Sequence, residues 1–431
     1  MTAFDLAAVL LVLAGLFSYL NHRLLKLPTA IGATALALGA SLLLVLAGFV
    51  FPSLEREAKA LVARIDLQQA FLQGMLGFML FAGSLHINLR ELAAKKWPVA
   101  VLSTLGVLIS TVVVGVLTMA LLAAFGVPAR PIYCLLFGAL ISPTDPIAVM
   151  AILRQAGVPR EMEVTIAGEA LFNDGVGVVV FLGLLEVATG QAGFDPGHLA
   201  SLFLREAVGG AALGLILGWI TYRMLRSVDQ YQVEVLLSLA LVAGGYALAN
   251  ALHMSGPIAM VVAGLLIGNH GRAHAMSPTT IQNLDTFWEL IDEILNAVLF
   301  VLIGIEVLAL TVTGQHLLIA LLAIPIVLLA RLISVAAPIA LLNRRWQFPR
   351  TTTRILTWGG LRGGISVALA LSIPTQIDGQ HVSERDPLIA LTYVCVVFAI
   401  LIQGLTLGPL ARSWLKTADR TASPEGELSA M

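Results

Sequence analysis

The chain has 431 residues, 58% of them hydrophobic and 12% charged, with a formal net charge of −1. Apolar runs of this density exceed what a soluble core needs, so the composition excludes an ordinary soluble globule and points to a polytopic helical membrane protein. The near-zero charge gives no reason to expect nucleic acid as a partner. Cys134 and Cys395 both sit inside apolar runs, which implies small buried hydrophobes and no disulfide or metal framework.

In chain order, the opening residues carry Asp5 and lack a basic stretch ahead of the apolar run, so they read as a retained first span and not as a signal peptide. Breaks at Pro, Gly and charge then give about thirteen spans, near 4–20, 28–50, 67–88, 97–125, 131–153, 163–189, 199–225, 230–252, 257–270, 284–313, 315–342, 351–374 and 387–413. Between the second and third, Leu54, Ala58, Leu61 and Ile65 mark 53–66 as a short amphipathic helix along the outer interface. Basic residues test the count, because cytoplasmic loops collect Lys and Arg. One alternating set of loops, from Arg23 and Lys26 through Arg90, Lys95, Lys96, Arg154, Arg160, Arg223, Arg226, Arg272, Arg344, Arg345, Arg350 and Arg354 to Arg412, Lys416 and Arg420, holds 17 of the 25. A miscounted span would scramble that separation, so the expectation is an odd number of helices with the N-terminus outside and the C-terminus in the cytoplasm.

Two spans look broken. Span five is interrupted at Ser142-Pro143-Thr144-Asp145-Pro146, where proline removes backbone donors and forces the helix open. Span twelve is interrupted at the glycines around Arg362. Spans two and nine also open alike, at Leu27-Pro28 and at Ser255-Gly256-Pro257. The placement suggests two six-span halves of opposite topology, spans 1 to 6 and 8 to 13, joined by span seven, with the two broken helices crossing near the bilayer midplane.

The ionisable residues inside these spans carry the chemistry, since a carboxylate at that depth is costly unless it lines a wet cavity or holds a cation. Carbonyl oxygens freed at the proline break, with Thr144 and Asp145, suit a hard cation such as sodium. On span six Glu169, Asn173 and Asp174 project from neighbouring parts of one face. A desolvated carboxylate there binds a proton or a dehydrated cation but not both, which is already an exchange mechanism. Arg362 keeps its charge and needs a fixed anion, with Glu169, Asp145 and Asp174 as candidates. If Glu169 neutralises it, Asp174 is left to titrate. Asp285, Glu289, Asp292 and Glu293 stud the start of span ten as a solvated interfacial face or a cytoplasmic funnel for cations. His270 and His274 read as a solvated loop. Glu234 and Arg331 require partners that the sequence does not name, while Glu186 and Glu306 are expected to snorkel outward.

Thr144-Asp145-Pro146, Glu169-Ala170-Leu171-Phe172-Asn173-Asp174 and Gly360-Leu361-Arg362-Gly363-Gly364 resemble the signature motifs of the monovalent cation/proton antiporters, in the NhaP and NHE branch. The likeness covers nearly the whole chain, including Phe287-Trp288-Glu289 and Leu302-Ile303-Gly304-Ile305-Glu306. It implies an all-α fold of two inverted six-helix repeats with crossed discontinuous helices, assembled as a homodimer in a bacterial inner membrane. Residues 1–96 and 226–313 would supply the dimerisation domain, 199–225 the linker helix, and 97–190 with 315–416 a transport core that moves like an elevator; 417–431 would be a disordered cytoplasmic tail. It further implies a transporter and not an enzyme, serving pH homeostasis by electroneutral exchange of Na+, with Li+ or K+ as alternatives, for H+. No cofactor is implied beyond the transported cation, which Asp174, Thr144, Asp145 and Asn173 would bind beside a structural Glu169–Arg362 pair. Familiar members often carry a Glu at the place of Ala82 and a Ser at the place of Ala170; with both oxygens lost, either water fills the gaps or the preferred ion is larger than sodium, which keeps potassium open. Two other classes compete. An intramembrane aspartyl protease would use Asp145 and Asp174 as a dyad, but Asp174 lacks the glycine pattern of that family, and a channel would need a filter-like repeat that is absent.

Overall fold

The computed structural model describes residues 3–48, 51, 53, 56, 70–190, 196–309, 314–346, 348–377 and 379–422. Most of the expected interfacial helix over 53–66, and 423–431 of the expected tail, lie outside the described residues. Residues 417–422, which the sequence assigns to that tail, are helical, because the last helix runs Gly404–Ala422.

Helix dominates because a chain in lipid has no water to satisfy its backbone, so each apolar run must close its hydrogen bonds on itself. Among the described residues strand is confined to one two-residue antiparallel hairpin, Gln376–Ile377 with Gln380–His381. Among the described residues eight helices are long and apolar enough to cross a bilayer: Ala7–Leu25, Thr29–Ala47, Lys96–Ala124, Arg160–Ala188, Ser201–Leu225, Tyr231–Ala251, Gly314–Trp346 and Arg385–Thr417. The remaining expected spans fall on Leu76–Leu85, Gly256–Leu266, the acidic helix Pro278–Glu306, and two broken spans. The first broken span is Pro131–Ile141 with Pro146–Ala156; the second is Arg350–Trp358 with Gly364–Leu371. Each expected span therefore coincides with helix. Starts follow local chemistry: Ser255 and Ser277 accept from the backbone N–H of Ile258 and Thr280 at 3.4 and 3.3 Å, each with a proline in the first turn.

The helices pack in two groups. Lys96–Ala124 runs along Pro131–Ile141, Arg160–Ala188 and Gly314–Trp346, and the last of these packs on Arg385–Phe398, which also touches Gly364–Leu371. In the other group, Leu76–Leu85, Gly209–Leu225 and Tyr231–Ala251 all pack on Gly256–Leu266, while Ala3–Leu20 and Thr29–Gly48 lie against the acidic helix. Lipid tails are as apolar as leucine, so close shape fit and side-chain hydrogen bonds hold such a bundle more than burial does. Trp288 shows both: its ring lies 4.7 Å from that of Phe81, and its indole N–H donates to Ser238 at 3.0 Å.

Ion pairs at the two ends report the alternation of the spans. Lys95 meets Glu161 at 2.6 Å and Arg160 meets Glu91 at 3.0 Å, joining loops of the basic-rich set. At the opposite end Arg130 meets Glu384 at 2.8 Å, joining two loops of the basic-poor set. Burial works against the charge of Glu384, but hydrogen bonds from Arg130 outweigh it and hold the carboxyl below its usual range.

Candidate functional site

The site forms where the two broken spans meet. The first half-helix ends at Ile141, leaving carbonyls without intrahelical donors. Arg362, from the unwound segment of the second broken span, is buried and donates Nη1 to the carbonyl of Pro143 at 3.0 Å and, more closely, to that of Ser142. In return the N–H of Asp145 donates to the carbonyl of Leu361 at 2.9 Å, so the two breaks are stitched to each other. Asp145 precedes the Pro146–Ala156 half-helix, and its carboxylate lies against Gly363, immediately ahead of Gly364–Leu371. A negative charge thus faces the positive ends of two helix dipoles, while a guanidinium faces the negative end of another.

Close approach explains the glycines here. A Cβ on Gly363 would come within 2.6 Å of the Asp145 carboxylate, and one on Gly177 would collide with the ring of Pro143. Only hydrogen at these positions lets the breaks and the Arg160–Ala188 helix come together.

The Arg160–Ala188 helix brings Glu169, Asn173 and Asp174 to the crossing, all buried. Asn173 donates its amide N–H to Thr144 Oγ1 at 2.8 Å and accepts from the Thr144 backbone N–H at 3.4 Å, fixing the first break against this helix. Asp174 is 4% exposed, and its Oδ1 has no hydrogen-bond partner. It faces a cavity of roughly 50 Å³ that Pro143, Thr144, Asp145, Gly363 and Ser366 also line. That volume suits one small cation with a few waters. The opposite wall is apolar, from Leu76, Met79 and Leu80 of the other packing group.

The expected Glu169–Arg362 pair is absent and is corrected here. Glu169 instead takes a bidentate pair from Arg331, Nη1 to Oε1 at 2.6 Å and Nη2 to Oε2 at 3.1 Å, and Arg331 Nε also donates to the carbonyl of Leu356 at 3.2 Å. The physical reason is that helix-end carbonyls already satisfy Arg362, whereas Arg331, inside an apolar helix, requires an anion. Sequence reasoning marked Arg331 as needing a partner without finding it. It also missed Ser366, a small polar residue in an apolar helix two residues beyond the glycine pair.

The four acids in the first half of the acidic helix are not placed alike. Asp285, Glu289 and Asp292 share one face with Asn296 and Leu299, by spacings of four, three, four and three, and Leu299 lines the central cavity. Glu293 lies off that face. Asp285 pairs with Arg272, while Asp292 Oδ1 and Asn296 Oδ1 are closed from solvent without partners. Glu234 accepts from the backbone N–H of Gln230 at 3.2 Å and from Thr280 at 3.3 Å. Glu306, expected to snorkel, is buried. His270 and His274 are exposed.

Comparison with known proteins identifies the family. The family profile described as "Sodium/hydrogen exchanger, transmembrane" matches residues 8–413. The Na(+)/H(+) antiporter NhaP of Pseudomonas aeruginosa is 50% identical over 415 residues, covering 95% of this chain and 96% of that protein. The Na(+)/H(+) antiporter NhaH of Halobacillus dabanensis is 35% identical, covering 86% of this chain and 91% of its own length. The solved structure of the sodium proton antiporter MjNhaP1 from Methanocaldococcus jannaschii superposes with a TM-score of 0.74 at 20% identity, covering 95% of this chain and 97% of that one, and so shares the fold. With a profile match across the bundle and relatives of this similarity over almost their full length, this chain belongs to the sodium/hydrogen exchanger family, a family of multi-pass membrane transporters and not of enzymes.

Proposed function

We propose that this chain exchanges Na+ for H+ across the membrane, one for one, with Asp174 holding the two ions alternately. The observation that carries this is the orphaned Oδ1 of Asp174 facing a cation-sized cavity. A carboxylate out of water must be neutralised, and either a proton or a dehydrated cation does so; the two exclude each other. The neighbouring charges are spoken for: Glu169 by Arg331, Arg362 by the carbonyls of Ser142 and Pro143, and Asp145 by the helix ends it faces. Asp174 is the group left to change partner. Thr144, Asp145 and Asn173 complete or orient the coordination sphere, and Asp285, Glu289 and Asp292 draw cations toward it along one helix face.

Alternation follows from the packing. The cavity lies between the group that carries the broken spans and the smooth apolar wall of Leu76, Met79 and Leu80. Sliding the first group against the second would expose Asp174 to each side in turn, as an elevator does, while the second group stays fixed in a homodimer. The membrane is the bacterial plasma membrane, with the C-terminus in the cytoplasm and cytoplasmic pH balance as the physiological output. The gradients alone drive the cycle, without a cofactor.

Proteoliposomes holding a proton gradient test the reading. Adding Na+ to the wild-type chain should collapse the gradient, insensitively to an imposed voltage, and Asp174→Asn should abolish the response. Retained exchange in that variant would falsify the assignment. Parallel additions of Li+ and K+ rank the cations.

A further inference from the structure

We infer that Ser366 is an oxygen ligand of the transported cation and that its hydroxyl sets the preference for Na+ over K+; the inference rests on the antiport reading above. Ser366 is 1% exposed, lines the cavity that Asp174 faces, and its Oγ, like Asp174 Oδ1, has no hydrogen-bond partner. Two unpaired oxygens therefore border one small polar space. A buried hydroxyl without a partner is costly, so a second buried acceptor beside it calls for a species that satisfies both at once. A monovalent cation does so, taking lone pairs from each.

The break in the helix explains why this hydroxyl is free. Helical Ser and Thr normally donate back to a carbonyl three or four residues earlier, as Ser372 does to Leu369 and Thr392 to Leu388, both at 2.7 Å. Ser366 stands in the first turn of Gly364–Leu371, where the residues three and four earlier are Gly363, in extended backbone, and Arg362, in the unwound segment. No helical carbonyl stands beneath it. Its position after Gly363 also ties it to the segment whose glycine seats the Asp145 carboxylate. Donors thus converge from three elements: Thr144 and Asp145 from the first break, Ser366 from the second, and Asp174 from the Arg160–Ala188 helix.

Selectivity follows from coordination number and size. Na+ binds oxygen at short range and loses more than K+ when one oxygen is withdrawn from a tight cavity.

The test is sodium and potassium dose–response of full-length protein in proteoliposomes. Ser366→Ala and the near-isosteric Ser366→Cys, whose sulfur is a poor ligand for a hard cation, should each raise half-saturating Na+ about tenfold, the effect of losing one ligand bond. K+ should shift less, narrowing the Na+/K+ ratio. Ser366→Thr, which keeps the oxygen, should stay near wild type. An unchanged ratio in Ser366→Ala overturns the proposal, and so does a Ser366→Cys protein that binds Na+ like wild type. A wild-type chain that performs no exchange with any cation would instead sink the antiport reading itself, so the two failures are separate.

Discussion

At the scale of single residues, the proposed site sets one buried acid with an unpartnered oxygen, Asp174, beside a buried pair that hold each other, Glu169 and Arg331. Glu169 and Arg331 are 2% and 7% exposed at the side chain and form two parallel hydrogen bonds. Removing one member leaves the other buried without compensation, a loss of about 3–5 kcal/mol in comparable buried pairs. Glu169→Gln and Arg331→Met should each lower the melting temperature of the detergent-purified protein markedly. The double substitution should lose less than the sum of the two, because no lone charge remains. If Glu169→Gln melts like wild type, Arg331 does not depend on that pair. The residues of this clamp were half legible in sequence. A lone arginine in an apolar helix announces that it needs an anion, yet Glu169 and Arg331 are 162 positions apart, and nothing along the chain distinguishes Arg331 from Arg362 as the partner. The decisive fact was the local one of helix-end carbonyls, which proline and glycine release only once the breaks face each other.

At the scale of elements, two broken helices cross by exchanging polar contacts at their gaps. Asp145 N–H reaches Leu361, Arg362 reaches Ser142 and Pro143, and Gln403 donates to the carbonyl of Trp358 at 3.0 Å, closing the other orphaned helix end. The crossing demands a residue without a side chain at Gly363, so Gly363→Ala should displace the Asp145 carboxylate and remove exchange. Because the three atoms nearest to such a Cβ all belong to Asp145, the variant should still insert and elute from a sizing column at the wild-type position. Full transport by such a protein would show that the carboxylate tolerates displacement. Both breaks could be read from composition, since Pro143 and Pro146 cannot continue a hydrogen-bonded helix and Gly363-Gly364 favours an open backbone. Ser366 escaped because serine in an apolar helix ordinarily bonds its own backbone, and only the missing turn beneath it makes the hydroxyl available.

At the scale of the whole molecule, loop charge and helix alternation have to agree, and they do so collectively. Three pairs that tie distant loops each join members of one set: Lys95 with Glu161, Arg160 with Glu91, and at the far end Arg130 with Glu384. One span too many or too few between partners would place them on opposite sides of the bilayer. On the orientation proposed above, the set that includes Arg223 and Arg226, which carries most of the basic charge, is the cytoplasmic one and the loop with His381 is external. Sided labelling decides the orientation. Cys134 and Cys395 are buried at 1% and 3% exposure, so background reaction with a membrane-impermeant maleimide should be low. His381→Cys, in the exposed hairpin, should label in intact cells, whereas Ser227→Cys, exposed in the loop between Gly209–Leu225 and Tyr231–Ala251, should label only after the membrane is opened. The reverse pattern would invert the protein and turn the acidic face from Asp285 to Asp292 outward. Labelling of both sites in intact cells would break the alternation on which the two inverted halves depend, since an odd number of crossings separates any two loops of opposite sets.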